Sequence, residues 1–137
     1  MKRILYFILA IAFVPLLIVA RGFEAKGEIP IRTVEIRVHH SRFAPEVLYF
    51  ERGQKVRFRI VNSDPIDHEL IVGDELVQQR HEDGTESVHG EVPGEVTVPA
   101  GRPAETTYLF QSPGRLLFGC HFPGHYSYGM RGLINVA

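Results

Sequence analysis

A segment near the end of the chain combines sulfur and nitrogen donors. Residues 118–132 contain the only cysteine, Cys120, together with His125 and Met130. Proline and glycine residues within the segment turn it back on itself. Copper prefers soft sulfur together with imidazole, and two nitrogens, one thiolate and a weak axial thioether form the electron-transfer type of copper site. The segment therefore supplies three of the four ligands that such a site needs.

The fourth ligand must come from elsewhere in the chain, and His68 is the best placed candidate. It follows the turn-rich segment 62–67 and begins the apolar run His68–Val72. A histidine where a loop enters a strand can point into a site at one end of a β-sandwich, where loops gather. The alternative, a histidine that merely caps a strand, loses weight beside the C-terminal donors. We therefore predict one copper ion per chain, bound by His68, Cys120, His125 and Met130.

Other classes of protein fit the sequence poorly. A structural zinc site does not use an axial methionine, and a binuclear copper site would need a second cysteine. The sequence has neither a phosphate-binding glycine loop nor a catalytic triad in a motif context. The net charge of −1 gives no indication of nucleic acid binding. No self-sufficient catalytic site is expected.

The N-terminus is expected to direct export. Lys2 and Arg3 precede an apolar run from Ile4 to Ala20, as in a secretory signal peptide or a short membrane anchor. We assign residues 1–22 to this signal peptide or anchor and residues 23–30 to a linker. The protein would then be periplasmic or otherwise extracytoplasmic, with a possible membrane tether. In an oxidising compartment a lone thiol such as Cys120 is protected from oxidation only when it is bound or buried.

Alternation of apolar and polar side chains predicts an all-β domain over residues 31–137. The clearest strands are Thr33–His39 and Lys55–Val61, in which every second residue is apolar. Similar segments further along bring the total to seven or eight short strands, a number typical of a sandwich. The strand Leu116–Cys120 carries the cysteine at its end, and Leu133–Val136 closes the sheet.

Residues 73–95 interrupt the strands with a polar insertion that allows a short helix over Glu75–His81. The insertion contains His81 and His89 among acidic residues. These histidines either belong to a solvated loop or form an accessory, weaker metal site. The pair His39-His40 is better explained by the polarity of a strand end than by metal binding.

The ligand segment resembles a known family. The run Cys120-His121-Phe122-Pro123-Gly124-His125, followed by Met130, resembles the cupredoxins, the blue copper proteins such as azurin and plastocyanin. This resemblance covers about residues 31–137. It implies a Greek-key β-sandwich whose copper cycles between Cu(I) and Cu(II). Members often have Asn directly after the first histidine ligand, where it ties the two ligand loops together, and here that position is Glu69.

The resemblance also implies roles for the side chains of the site. Cys120 would form the short copper–sulfur bond, the two histidines would complete a trigonal plane, and Met130 would lie on the axis. His125 would pass the electron to redox partner proteins through an apolar surface. The residues expected to form that surface are Phe122, Pro123, Tyr126 and Tyr128.

His121 has a different expected role. Multicopper oxidases share this Cys-His spacing, but their trinuclear cluster needs His-x-His pairs, and this chain has none. Alternation along the strand would point His121 away from copper.

The sequence thus predicts an exported type 1 copper protein that carries single electrons. The alternative is a copper-tolerance protein that stores or delivers copper without obligatory redox turnover.

Overall fold

The computed structural model describes residues 29–84 and 92–137. The predicted signal peptide or anchor, residues 1–22, lies outside these ranges, as does most of the predicted linker. Within them, no helix is long and apolar enough to cross a membrane.

The described residues form nine strands and one helix, so the domain is mostly β-sheet. The elements, in chain order, are β1 (Ile31–His39), β2 (Arg42–Ala44), β3 (Val47–Phe50), β4 (Lys55–Asn62), β5 (His68–Gly73), α1 (Glu75–Glu82), β6 (Glu95–Val98), β7 (Pro103–Leu109), β8 (Gly114–Gly119) and β9 (Arg131–Val136). Sequence alternation located eight of these strands to within a few residues. The ninth, β2, has only three residues, which is too short to show a period.

The strands form two sheets, each with mixed strand directions. One sheet has the order β2-β1-β4-β7 and the other β3-β9-β8-β5-β6. β1 runs parallel to β4, and β3 runs parallel to β9, whereas the remaining neighbours are antiparallel. β5 pairs with β8 through Ile71 and Gly119. This pairing sets the end of β8, and hence Cys120, beside β5, which begins with His68.

The core lies between the two sheets and is rich in aromatic rings. Phe50 and Phe110 stack with their centroids 4.6 Å apart, and Phe43 meets Phe118 edge to face at 5.3 Å. In β4 the inward residues Val56, Phe58 and Ile60 are fully buried, as the alternation predicts. Burial of such side chains stabilises the sandwich by about 1.5–3 kcal/mol each. Cys120 and Met130 belong to the same buried cluster, so the ligand loop is anchored in the core.

The helix α1 lies against β5 and β8. Its N-cap is Asp74, whose carboxylate accepts the backbone N–H of Val77 at 2.9 Å. The buried residues of α1 are Gln78 and His81, both polar. Gln78 donates to the carbonyl of Ile71 at 3.2 Å. The helix is thus attached to the sheet by hydrogen bonds from a buried polar side chain.

Candidate metal centre

His68 occupies the first position of a strand that is buried along its whole length. All six residues of β5 are buried, and the side chain of His68 is fully buried. Its Nε2 lies 2.9 Å from Oδ2 of Asp64, in the turn that precedes the strand. His68 is therefore held at one end of the sandwich by a residue of the adjoining turn.

The loop that carries the other predicted ligands is braced by its own backbone. The N–H of Cys120 donates to the carbonyl of Met130 at 3.1 Å, and the N–H of Met130 donates to the carbonyl of His125 at 2.9 Å. Gly124 and Gly129 adopt positive φ angles of 82° and 96°, which glycine tolerates without a Cβ penalty. The three predicted ligands of the loop are thus linked by direct backbone hydrogen bonds.

The structure brings His68, Cys120 and His125 together. One ligand atom from each residue lies within 4.8 Å of the others. Sγ of Cys120 is 3.3 Å from Nδ1 of His125, and the two imidazole centroids are 5.1 Å apart. Among residues 29–84 and 92–137, this is the only group of three His, Cys, Asp or Glu side chains close enough to hold a metal ion.

The copper predicted from the sequence fits this group chemically. Nδ1 of His68 is buried and has no hydrogen-bond partner, and a buried polar atom without a partner costs free energy. A metal ion would supply that partner. One thiol and two imidazoles form the donor set that copper selects, so the predicted copper cofactor is supported by the residues present.

The environment of the site also shifts the pKa values of the side chains. Burial raises the pKa of the Cys120 thiol to about 11, although the backbone N–H groups of Phe122 and Glu69 oppose this shift. Burial lowers the pKa of His125, and neighbouring His68 lowers it further. Burial and neighbouring groups thus disfavour the charged forms of Cys120 and His125.

Met130, the predicted axial ligand, is fully buried at the end of the loop. Its backbone contacts with Cys120 and His125 fix its position relative to the other donors. The direct coordination of copper by its thioether stays a prediction.

Glu69, which stands where related proteins often have Asn, connects the two ligand segments. Its side chain is only 2% exposed, and its Oε1 accepts the backbone N–H of His121 at 2.7 Å. The residue after the first histidine therefore ties β5 to the ligand loop, as Asn is expected to do, but through a carboxylate.

The side chain of His121 contacts α1. Its Nδ1 lies 2.9 Å from Oε2 of Glu82, and its Nε2 lies 2.8 Å from Oε1 of Gln78. The ring also stacks on Tyr126, with centroids 4.5 Å apart. Burial lowers the pKa of His121, whereas the hydrogen bond to Glu82 raises it. The residue after the cysteine thus links the ligand loop to the helix.

The remaining histidines lie outside the group of donors. His81 is buried, with Nδ1 2.8 Å from the carbonyl of Val77 and Nε2 3.5 Å from Oε2 of Glu95. Its suggested partner in an accessory metal site, His89, falls outside the described residues. The rings of His39, which ends β1, and of His40, in the turn that follows, are both exposed, with centroids 3.8 Å apart and a tilt of 33°.

The surface around His125 is partly apolar. Tyr128 is 79% exposed, and Pro123 is exposed beside it in the loop. Phe122 is half-buried and packs against the core, and its ring lies 6.1 Å from that of His125. Tyr126 is half-buried against His121. Of the four residues predicted to form the patch, Pro123 and Tyr128 are therefore the most accessible.

Comparison with known proteins identifies the family. No family model matches the chain. The copper-resistant cuproprotein CopI of Rubrivivax gelatinosus is 33% identical over 120 residues, which cover 84% of this chain and 70% of the relative. The chain belongs to the CopI family.

Solved structures agree with the fold of this CopI-family chain. Auracyanin B superposes with a TM-score of 0.68 and 25% identity, over 81% of this chain and 92% of its own. Auracyanin A, a blue copper protein from Chloroflexus aurantiacus, superposes with a TM-score of 0.64 and 19% identity, over 79% and 100%. The resemblance to cupredoxins drawn from residues 120–130 is confirmed.

Sequence reasoning missed several residues that surround the donors. Asp64 was part of a turn-rich segment, and only its contact with His68 distinguishes it there. Gln78 and Glu82, which contact His121, lie 43 and 39 residues away in the sequence. The position of Asp64 four residues before a candidate ligand was the one available signal.

Proposed function

We propose that this CopI-family chain is a type 1 copper protein that serves copper resistance. Copper would be held by Nδ1 of His68, Sγ of Cys120, Nδ1 of His125 and the thioether of Met130. The observation that best supports this proposal is the buried Nδ1 of His68. It has no hydrogen-bond partner, and His68 belongs to the group formed with Cys120 and His125. Bound copper supplies one-electron chemistry between Cu(I) and Cu(II).

The role in copper resistance rests on the relative and on the burial of the donors. The relative from Rubrivivax gelatinosus is named a copper-resistant cuproprotein. Here His68, Cys120 and Met130 are fully buried, so a metal ion among them would be shielded from other thiols and from water. With the predicted N-terminal signal peptide or anchor, the protein would protect an extracytoplasmic compartment such as the periplasm.

Growth in copper tests this role. A strain that lacks the gene should become sensitive to copper, and the wild-type gene should restore tolerance. Cys120→Ser should fail to restore tolerance although the protein accumulates. Glu105→Gln is the control, because this residue is exposed and lies outside the donor group. Restoration of tolerance by Cys120→Ser would contradict the proposal.

A second candidate function, one-electron carriage, is favoured by the form of the ligand loop. Backbone hydrogen bonds link Cys120, Met130 and His125 directly. Donors braced in this way need little rearrangement when the oxidation state changes. Half-buried His125 lies beside the apolar surface of Pro123 and Tyr128, where a redox partner protein would dock. On this proposal the chain is a carrier and has no catalytic turnover of its own.

Two rates separate electron carriage from copper storage or delivery. Electron self-exchange can be measured by NMR line broadening in mixtures of the Cu(I) and Cu(II) forms. Copper loss can be followed as transfer to a Cu(I) chelator. Fast self-exchange with slow copper loss supports the carrier. Slow self-exchange with rapid copper transfer supports storage or delivery and contradicts the carrier.

A further inference from the structure

The two nitrogens of His68 have different surroundings. Nε2 lies 2.9 Å from a carboxylate oxygen of Asp64, whereas Nδ1 is buried without a hydrogen-bond partner. An ionised carboxylate only accepts hydrogen bonds, so Nε2 must carry the hydrogen. Nδ1 then presents its lone pair. The contact with Asp64 therefore selects the tautomer that binds metal through Nδ1.

Asp64 is itself held firmly. Its Oδ1 accepts the N–H of His40 at 2.7 Å, and its Oδ2 accepts the N–H of Ser41 at 2.8 Å. Both donor residues adopt positive φ angles, 50° and 52°, which are unfavourable for residues other than glycine. These two hydrogen bonds compensate part of that strain. The turn between β1 and β2 thus holds, through two hydrogen bonds, the carboxylate that contacts His68.

A second hydrogen-bond network holds Asp64 through Asn62, the last residue of β4. Its backbone N–H donates to Oδ1 of Asn62 at 2.9 Å. The amide of Asn62 donates in turn to the carbonyls of Ile66 and Val98 at 2.9 and 3.2 Å. Asn62 and Asp64 are both buried. Their network therefore leaves the carboxylate little freedom to move away from His68.

The hydrogen bonds around the carboxylate favour its ionised form. It accepts two backbone N–H groups and lies 2.9 Å from Nε2 of His68, and hydrogen bonds donated to a carboxylate favour its charged form. A buried negative charge thus lies directly behind the imidazole of His68.

We propose that Asp64 is a positioning residue that lowers the reduction potential of the copper site through its contact with His68. This inference rests on the proposed copper site. A carboxylate on the second nitrogen of a ligand histidine fixes the ring and makes the first nitrogen a stronger donor. Its charge also favours the oxidation state with the greater positive charge. Both effects stabilise Cu(II) more than Cu(I).

The reduction potential of Asp64→Asn, measured in the full-length chain, tests the proposal. The variant removes the charge and leaves one carbonyl acceptor. We expect the affinity for Cu(II), relative to that for Cu(I), to fall about 10–100-fold. Each factor of ten corresponds to a midpoint potential about 59 mV higher for one electron.

Asp67→Asn is the matched control. Asp67 lies in the same turn, but its carboxylate accepts the backbone N–H of Ala100 at 2.7 Å. The substitution removes the same charge and leaves the contact with His68 in place, so we expect a clearly smaller shift. Equal shifts in the two variants, or no shift in Asp64→Asn, would overturn the proposal.

A measurement on the unaltered protein covers the case in which Asp64→Asn does not fold. Long-range proton–nitrogen NMR correlations report which histidine nitrogens carry hydrogen, and the missing signal in His68→Gln assigns the residue. We expect His68 to carry its hydrogen on Nε2 in both the metal-free and the Cu(I) forms. Hydrogen on Nδ1 in the metal-free protein would overturn the role of Asp64.

The same samples distinguish this inference from the proposed function. If the wild-type protein shows no type 1 copper spectrum, the copper site and the role of Asp64 fail together. If the spectrum is present and the potential does not respond to Asp64→Asn, only the role of Asp64 fails.

Discussion

The carboxylate of Glu69 accepts the backbone N–H of His121 at 2.7 Å, across 52 residues of sequence. Glu69 directly follows His68, and His121 directly follows Cys120. One hydrogen bond, to a buried carboxylate, therefore sets the separation of the two chain segments that carry the sulfur donor and the first imidazole. The charge of Glu69 also raises the pKa of Cys120, whereas its backbone N–H lowers it.

Replacement of Glu69 by alanine should destabilise the protein. The N–H of His121 would lose its acceptor, and a buried donor without a partner costs about 1–3 kcal/mol. Urea unfolding of the metal-free protein measures this loss. Glu69→Gln retains an acceptor oxygen and should lose less. Glu105→Ala, at an exposed ion pair with Arg57, should stay within about 1 kcal/mol of the wild type. A Glu69→Ala variant as stable as the wild type would contradict the role of this bond.

Gly119 leaves room for the ligand loop. A Cβ at this position would lie 2.5 Å from the ring of Tyr126, so Gly119→Ala must displace the loop beside Cys120. Gly73→Ala is the matched control, since its Cβ would lie 2.5 Å from Val77 in α1. We expect both variants to lose about 1–3 kcal/mol of stability through overpacking. Only Gly119→Ala should alter the visible absorption of the copper form. An altered spectrum in both variants would contradict this local effect.

Met130 should control the potential through its thioether. Met130→Leu conserves volume in the core, so its cost in stability should stay below about 1.5 kcal/mol. Loss of the weak axial donor should disfavour Cu(II), and a tenfold change in relative affinity raises the midpoint potential by about 59 mV. Cyclic voltammetry measures the change. A potential equal to that of the wild type would show that Met130 is not an axial ligand.

Tyr128 should contribute to the surface through which electrons pass. Two molecules that meet through their His125 surfaces would place two copies of Tyr128 near each other. Tyr128→Lys should therefore slow self-exchange about tenfold or more, because it replaces apolar contact by like-charge repulsion. The control is Tyr49→Lys, because Tyr49 is similarly exposed at 71% but lies in β3. Equal slowing in the two variants would assign the effect to net charge instead of to this surface.

Sequence patterns predicted all the described strands except β2. They also identified the residues of the donor group, His68, Cys120 and His125. In β4 every second residue is buried, so the alternation of apolar and polar residues in the sequence predicted this strand. The run from Cys120 to Met130 carries three of the predicted ligands within one loop, so the sequence alone indicated the kind of metal site. The three-residue strand β2 was missed because it has no period. α1 has a weak apolar pattern because its buried residues are Gln78 and His81.

The contacts around the donors were not predictable from sequence. The bonds from Asp64 to His40 and Ser41, and from Glu69 to His121, join residues from 23 to 52 positions apart. They depend on which strands become neighbours within each sheet, β1 beside β4 and β5 beside β8, and local propensity does not encode that pairing. Glu69 looked like a departure from the family pattern. The structure shows that a carboxylate makes a link of the kind expected from Asn.

The most direct test of the copper site is a Cu(II) titration of the full-length chain, followed by visible absorption and electron paramagnetic resonance. The predicted result is an intense thiolate-to-copper band with a narrow hyperfine splitting at one equivalent, both absent in Cys120→Ser. His68→Gln should also lose these signals, whereas the control His39→Gln should keep them. A pale product with ordinary hyperfine coupling that persists in Cys120→Ser would contradict the type 1 site.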